Sequence, residues 1–148
     1  MARRIAAAAY AWAGQSCISV QRILAHRDVV VRLRDLLVEA TEAFPMGDPS
    51  LPATLCGPMI DTANRDRILQ WIESAKSAGG TLLTGGTAEG SMAPPALLDG
   101  VPDEQPHVGG EPLGPRPALP RSDPSVGRPS RVNTPHYRLH TEPSRHPE

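Results

Sequence analysis

The sequence predicts an α/β fold on three observations. Short aliphatic runs lie between turn residues, two longer stretches repeat apolar residues at helical spacing, and the two kinds are arranged in layers: strand, helix, loop, helix, strand. The run ISVQRILAH (18–26) is short, β-branched and flanked by polar residues, so it predicts a strand. In RDVVVRLRDLLVEATEAF (27–44), Val29, Leu33, Leu36, Ala40 and Ala43 mark one face of a helix, with Asp28 as N-cap and Pro45 as the stop. The proline- and glycine-rich MGDPSLPATLCGPMID (46–61) predicts loop. A second helix follows over 62–78, capped by Asp61, burying Ile68, Ile72 and Ala75, and ended by Gly79-Gly80. TLLT (81–84) predicts a strand closed by Gly85-Gly86, and PALLDGVP (95–102) an extended segment.

Composition divides the chain at about residue 107. Residues 108–148 carry nine prolines, and six arginines against four acids. So little apolar surface cannot offset the entropy of ordering the segment, and a disordered tail is expected over 108–148 behind one domain at 1–107. The whole chain has a net charge of −1, which argues against nucleic acid as a partner. No apolar run approaches the ~20 residues of a membrane span. Two cysteines make neither a disulfide framework nor a zinc pattern, the five histidines lack metal-ligand spacing, and a reducing, cytoplasmic setting with no metal is expected.

The stretch YAWAGQSCISVQRI (10–23) raises the question of what Cys17 does. Three readings compete. A lone cysteine is most often a small buried residue, which is also the reading for Cys56. Arg3-Arg4, the apolar IAAAAYAWA and Ala11-Trp12-Ala13 imitate a secretion signal with its cleavage site. The third reading is a nucleophile in a Gly-Gln-x-Cys turn.

AYAWAGQSCISVQRI resembles the catalytic-cysteine segment of the aldehyde dehydrogenase superfamily, in which a helix enters a Gly-Gln-x-Cys turn and a strand leaves it. MGDPSLPATLCGPMID is similar to the G-D-P loop and G-P-x-I of that family, and DRILQWIESAKSAGGTLLTGG to its helix, strand and Gly-Gly turn. APPALLDGVPDEQ resembles the approach to its E-x-F-G-P motif. These motifs stand in the family's order, and ARRIAAAAYAWA then matches the helix before the cysteine loop rather than a secretion signal. The fold implied is part of an aldehyde dehydrogenase catalytic domain.

The resemblance implies that the Cys17 thiolate attacks an aldehyde carbonyl to give a thiohemiacetal. Hydride then passes to NAD or NADP, and water hydrolyses the thioester to a carboxylic acid. Cysteine suits this because a thiolate is nucleophilic near neutral pH and leaves readily. The backbone N–H of Cys17 would be one oxyanion donor. Gly14 would let the turn approach substrate, and Gln15 matches the motif without a chemical role. Glu111 of Glu111-Pro112-Leu113-Gly114-Pro115 corresponds to the glutamate that contacts the nicotinamide ribose, with leucine in place of the family's phenylalanine.

No glycine-rich phosphate turn follows a strand, and no counterpart of the family's general-base glutamate, oxyanion asparagine or cofactor lysine is visible. Lys76, three residues after Glu73, predicts a solvated ion pair instead. RVNTPHYRLH (131–140) echoes the family's V-N-x-T-x-Y-G-L, with Arg138 at the glycine. Between 109 and 130 the proline density is expected to forbid strands. The expected function is therefore a fragment of an NAD(P)-dependent aldehyde dehydrogenase acting on a small-molecule aldehyde, inactive as an isolated chain and not binding the nucleotide alone. The alternative is a non-catalytic gene remnant or an interaction module that binds a full-length relative.

Overall fold

Helix α1 (Ala2–Tyr10) owes its position to small side chains. Ala2, Ala6 and Ala9 lie one or two turns apart and are buried, which lets α1 settle against α2 (Arg27–Glu42). The computed structural model describes residues 1–102, 114–115 and 117–120. Along these the order is α1, a tight turn Ala11–Gly14, α2, α3 (Thr62–Ser77), β1 (Thr81–Thr84), β2 (Leu97–Val101) and β3 (Ala118–Pro120). Tyr10 ends α1 in the core. Its hydroxyl meets Thr41 Oγ1 at 2.9 Å and donates to the Ala96 carbonyl at 3.3 Å, and its ring stands edge-on to Phe44. Burial pushes the Tyr10 pKa well above its ordinary value, although the Thr41 hydrogen bond works against the shift.

Helix α2 forms where its periodicity predicts, but rotated. Leu37 and Thr41 are its buried residues, with Val30, Leu33, Val38 and Ala40 partly covered, whereas Val29 is 53% and Leu36 44% exposed. The stretch 29–38 offers apolar residues on several faces, so more than one stripe satisfies helical spacing. Contact with α1 and the sheet selects the one through Leu37. The cap is also corrected: His26, not Asp28, is the N-cap, its Nδ1 accepting the Asp28 N–H at 3.3 Å. Asp28 lies in the first turn, where its charge suits the helix dipole.

Helix α3 and the segment after it follow the sequence closely. Asp61 Oδ1 accepts the Asn64 N–H at 2.6 Å, Ile68, Ile72 and Ala75 are buried, and left-handed Gly79 turns the chain into β1. The Asn64 backbone N–H, with help from its side chain, holds the Asp61 carboxyl below its usual pKa. Between α2 and α3 residues 46–61 are loop, held by an isolated bridge between Met46 and Cys56.

The sheet is mixed, in the order β1-β2-β3. β1 and β2 are antiparallel (Leu82 opposite Leu98), while β2 and β3 are parallel (Leu98 opposite Ala118). Two expectations are corrected here. The run 18–26 is not a strand but an extended segment with one bridge, Arg22 to Ala118, where Ile23 N–H donates to Ala118 O and Ala118 N–H to Gln21 O. And β3 lies inside 108–148, where disorder and the loss of strands were expected.

Proline explains both corrections. Pro115 and Pro117 are buried and serve as acceptors, taking the Ala96 N–H at 2.8 Å and the Leu98 N–H at 3.2 Å. A proline lacks only the donor, so it can close a sheet edge from its carbonyl side. Pro120, however, has no N–H for the next rung toward 18–26, so on that side the ladder stops at the Arg22–Ala118 bridge. The rest of 108–148, including RVNTPHYRLH, lies outside the described residues.

Candidate functional site

The turn that carries Cys17 begins in left-handed backbone. Trp12 (φ 57°, ψ 34°), Ala13 (φ 54°, ψ 33°) and Gly14 (φ 62°) are consecutive, and two of the three are not glycine. Such residues cost on the order of 1–3 kcal/mol each and persist only where their surroundings hold them. Trp12 N–H donates to Leu55 O at 3.2 Å, and Ala13 is buried in the core around α3. Gly14 has its Cα against the Gly114 carbonyl and Pro115 nitrogen, where a Cβ would collide. Here glycine is required twice over, by conformation and by space.

Cys17 then occupies a β-turn, Ser16 to Ser19, closed by the Ser19 N–H donating to Ser16 O at 3.0 Å. Its thiol is exposed. Among the described residues the Cys17 N–H has no hydrogen-bond partner. Apolar side chains surround the turn: Trp12, Ile18 and Ile60 are each about four-fifths exposed. An exposed thiol, a free backbone donor and exposed apolar side chains thus occur in one short turn.

Cys56 is the opposite case. It is fully buried, and desolvation pushes its thiol up to about 11, a backbone hydrogen bond from Ala13 opposing the shift. A thiol so placed stays protonated at neutral pH and out of reach of substrate. Cys56 is buried, as the bland reading expects, whereas Cys17 is exposed.

Gln15 was assigned no role from sequence, yet its side chain is engaged at both ends. Oε1 accepts the Ile60 N–H at 3.0 Å, and Nε2 donates to Trp12 O at 3.3 Å. The G-P-x-I loop and the cysteine turn are thereby tied together. Adjacent motifs in sequence gave no sign of this, because the partner lies 45 residues away.

Glu111 lies outside the described residues. Gly114, three residues beyond it, seats on Gly14 and Ile68, so the end of Glu111-Pro112-Leu113-Gly114-Pro115 adjoins the cysteine turn. The glycine pairs Gly79-Gly80 and Gly85-Gly86 act as structural stops and do not form a phosphate turn. Gly80 is packed on Ala75 and Val101, Gly85 on Pro95 and Ala96, and Gly86 on Leu82. Lys76 pairs with Glu73 at 2.7 Å, as its spacing predicts. Among the described residues no group of three His, Cys, Asp or Glu could hold a metal ion, and no helix is long and apolar enough to cross a membrane.

Comparison with known proteins bears on this geometry. The profile of the aldehyde dehydrogenase family matches residues 1–120. The chain is 34% identical over 127 residues to a 3-sulfolactaldehyde dehydrogenase of Priestia aryabhattai, covering 86% of this chain and 27% of that protein. Among solved structures it is similar to aldehyde dehydrogenase 21 of Physcomitrella patens in complex with the reaction product succinate (31% identity, TM-score 0.78). That alignment covers 82% of this chain and 25% of the other. It is also similar to an NADP-dependent glyceraldehyde-3-phosphate dehydrogenase of Bacillus halodurans complexed with NADP (29% identity, TM-score 0.76, 82% and 25% covered). The chain thus spans about a quarter of the length of these relatives.

Proposed function

We propose, from the premise that this chain belongs to the aldehyde dehydrogenase family, that it is the part of an NAD(P)-dependent enzyme that supplies the nucleophilic cysteine, Cys17. One observation carries the reading: the GQSC thiol is exposed in a turn whose own N–H is free among the described residues. The Cys17 sulfur adds to the carbonyl carbon of an aldehyde, the C=O π bond breaks, and the oxygen takes up a proton. The charge developing on that oxygen is met by the Cys17 N–H. Glu111 is the residue this reading assigns to the nicotinamide ribose, from its place in Glu111-Pro112-Leu113-Gly114-Pro115. The sequence shows no counterpart of the family's phosphate turn or general-base glutamate, so these 148 residues alone are expected to stop at reversible addition.

The test is carbon NMR with aldehyde labelled at the carbonyl carbon. The chain is expected to show a thiohemiacetal signal that Cys17→Ser abolishes and Cys56→Ala retains, with no NADH formed when NAD is added. A signal that survives Cys17→Ser would overturn the assignment.

The exposed Trp12, Ile18 and Ile60 favour a second reading, a module that docks on a full-length relative through this face. Co-elution of the chain with an intact aldehyde dehydrogenase, lost in Trp12→Ser/Ile60→Ser, would support it. Separate elution of the unaltered chain would sink it.

A further inference from the structure

The left-handed run at Trp12–Gly14 is an unfavourable way to enter the cysteine turn, and something must hold it there. The side chain of Gln15 lies across it. Its Nε2 reinforces the Gln15 N–H, both donating to the Trp12 carbonyl at 3.3 Å and 3.1 Å, and its Oε1 takes the Ile60 N–H from the opposite loop. We propose that Gln15 is a positioning residue for Cys17, fixing the turn so that the Cys17 N–H faces the oxygen of the adduct. The inference rests on Cys17 being the nucleophile.

The chemistry of the side chain fits the task. A primary amide donates and accepts at the same time at every pH. A leucine of similar size does neither. A glutamate accepts from Ile60 at any pH, but it can donate to Trp12 O only when protonated. As a carboxylate it sets two acceptors face to face, which favours release of the turn. The left-handed residues then relax toward right-handed backbone, and the Cys17 N–H swings away from the site.

The experiment measures the affinity of the full chain for labelled acetaldehyde between pH 4 and pH 7, read from the thiohemiacetal carbon. In the unaltered chain the S–H adds across the C=O with no net gain or loss of a proton, so the affinity is expected to be flat with pH. Loss of one ordinary hydrogen bond corresponds to roughly a fivefold change. Gln15→Leu is expected to bind about fivefold more weakly throughout. Gln15→Glu is expected to bind about fivefold more weakly at pH 7 and to regain most of the unaltered affinity near pH 4, where most of its carboxyl is protonated.

Buried Cys56 reports on folding, since it stays unreactive to a thiol reagent while the core is intact. If Gln15→Leu exposes Cys56, the two ends of the Gln15→Glu titration carry the test. Either variant matching the unaltered chain at every pH overturns the proposal, as does a Gln15→Glu weakening that does not recover in acid. The nucleophile reading fails separately if Cys17 in the native, unaltered chain binds the aldehyde no better than in the urea-unfolded chain. That result removes the positioning role with it.

Discussion

Cys17 and Cys56 share a side chain and differ in everything that decides reactivity. Cys17 stands in an exposed turn, while Cys56 is enclosed by Ala13, Met59 and the α3 face. The Cys56 shift has a consequence for stability. Its pKa rises from about 9 in the unfolded chain to about 11 in the fold, because burial disfavours the thiolate. The folded state therefore holds the proton more tightly. Its contribution is fully present below about pH 9 and is lost as pH climbs through about 11, to a limit of about 2–3 kcal/mol. Urea midpoints are expected to fall between pH 8.5 and pH 10, and to fall less in Cys56→Ala. Equal slopes would show that another group sets the decline. Tyr10, whose pKa burial also raises, adds to the loss at still higher pH.

At the scale of elements, α2 shows how far periodicity reaches. That residues 27–42 form a helix was legible from spacing, and so was its stop before Pro45. Which stripe is buried was not, since a step of one residue turns the face by about 100° and Leu36 and Leu37 are equally apolar. The partner decides. Thr41 donates to Leu37 O at 2.6 Å and meets Tyr10 from α1, which fixes the rotation through a buried polar contact. Truncation measures it directly: Leu37→Ala is expected to cost about 2–5 kcal/mol in denaturant unfolding. Leu36→Ala is expected to stay within about 0.5 kcal/mol. The reverse ranking would restore the stripe through Leu36. In α3, by contrast, Ile68, Ile72 and Ala75 recur at helical spacing on one stripe, and the buried set was read correctly.

Across the whole molecule, the site is closed by residues a hundred positions apart. Gly14 rests on Gly114, and a Cβ on Gly114 would run into the Ile68 side chain. Gly114→Ala is therefore expected to destabilise the fold by about 1–3 kcal/mol. Part of that loss should return in Gly114→Ala/Ile68→Val, which opens room where the methyl lands. Additive effects in a double-mutant cycle would show that the two positions do not meet. Because Gly114–Pro115 also supplies the carbonyl that receives Ala96 N–H, this contact joins the cysteine turn to the sheet.

The sequence by itself determined the α/β class, the two long helices, the strand TLLT and the loop between the helices. These rest on information held within a few turns of chain: spacing, capping and glycine stops. Only the tertiary structure decided the rotation of α2, the reduction of 18–26 to one bridge, the ordering of Ala118–Pro120, and the tie of Gln15 to Ile60. Each of these depends on a partner far away in sequence. Proline composition counts lost donors but not carbonyls, and helical spacing marks apolar stripes without saying which one meets a neighbour. Such choices are made by contact, and contact exists only once the chain has folded.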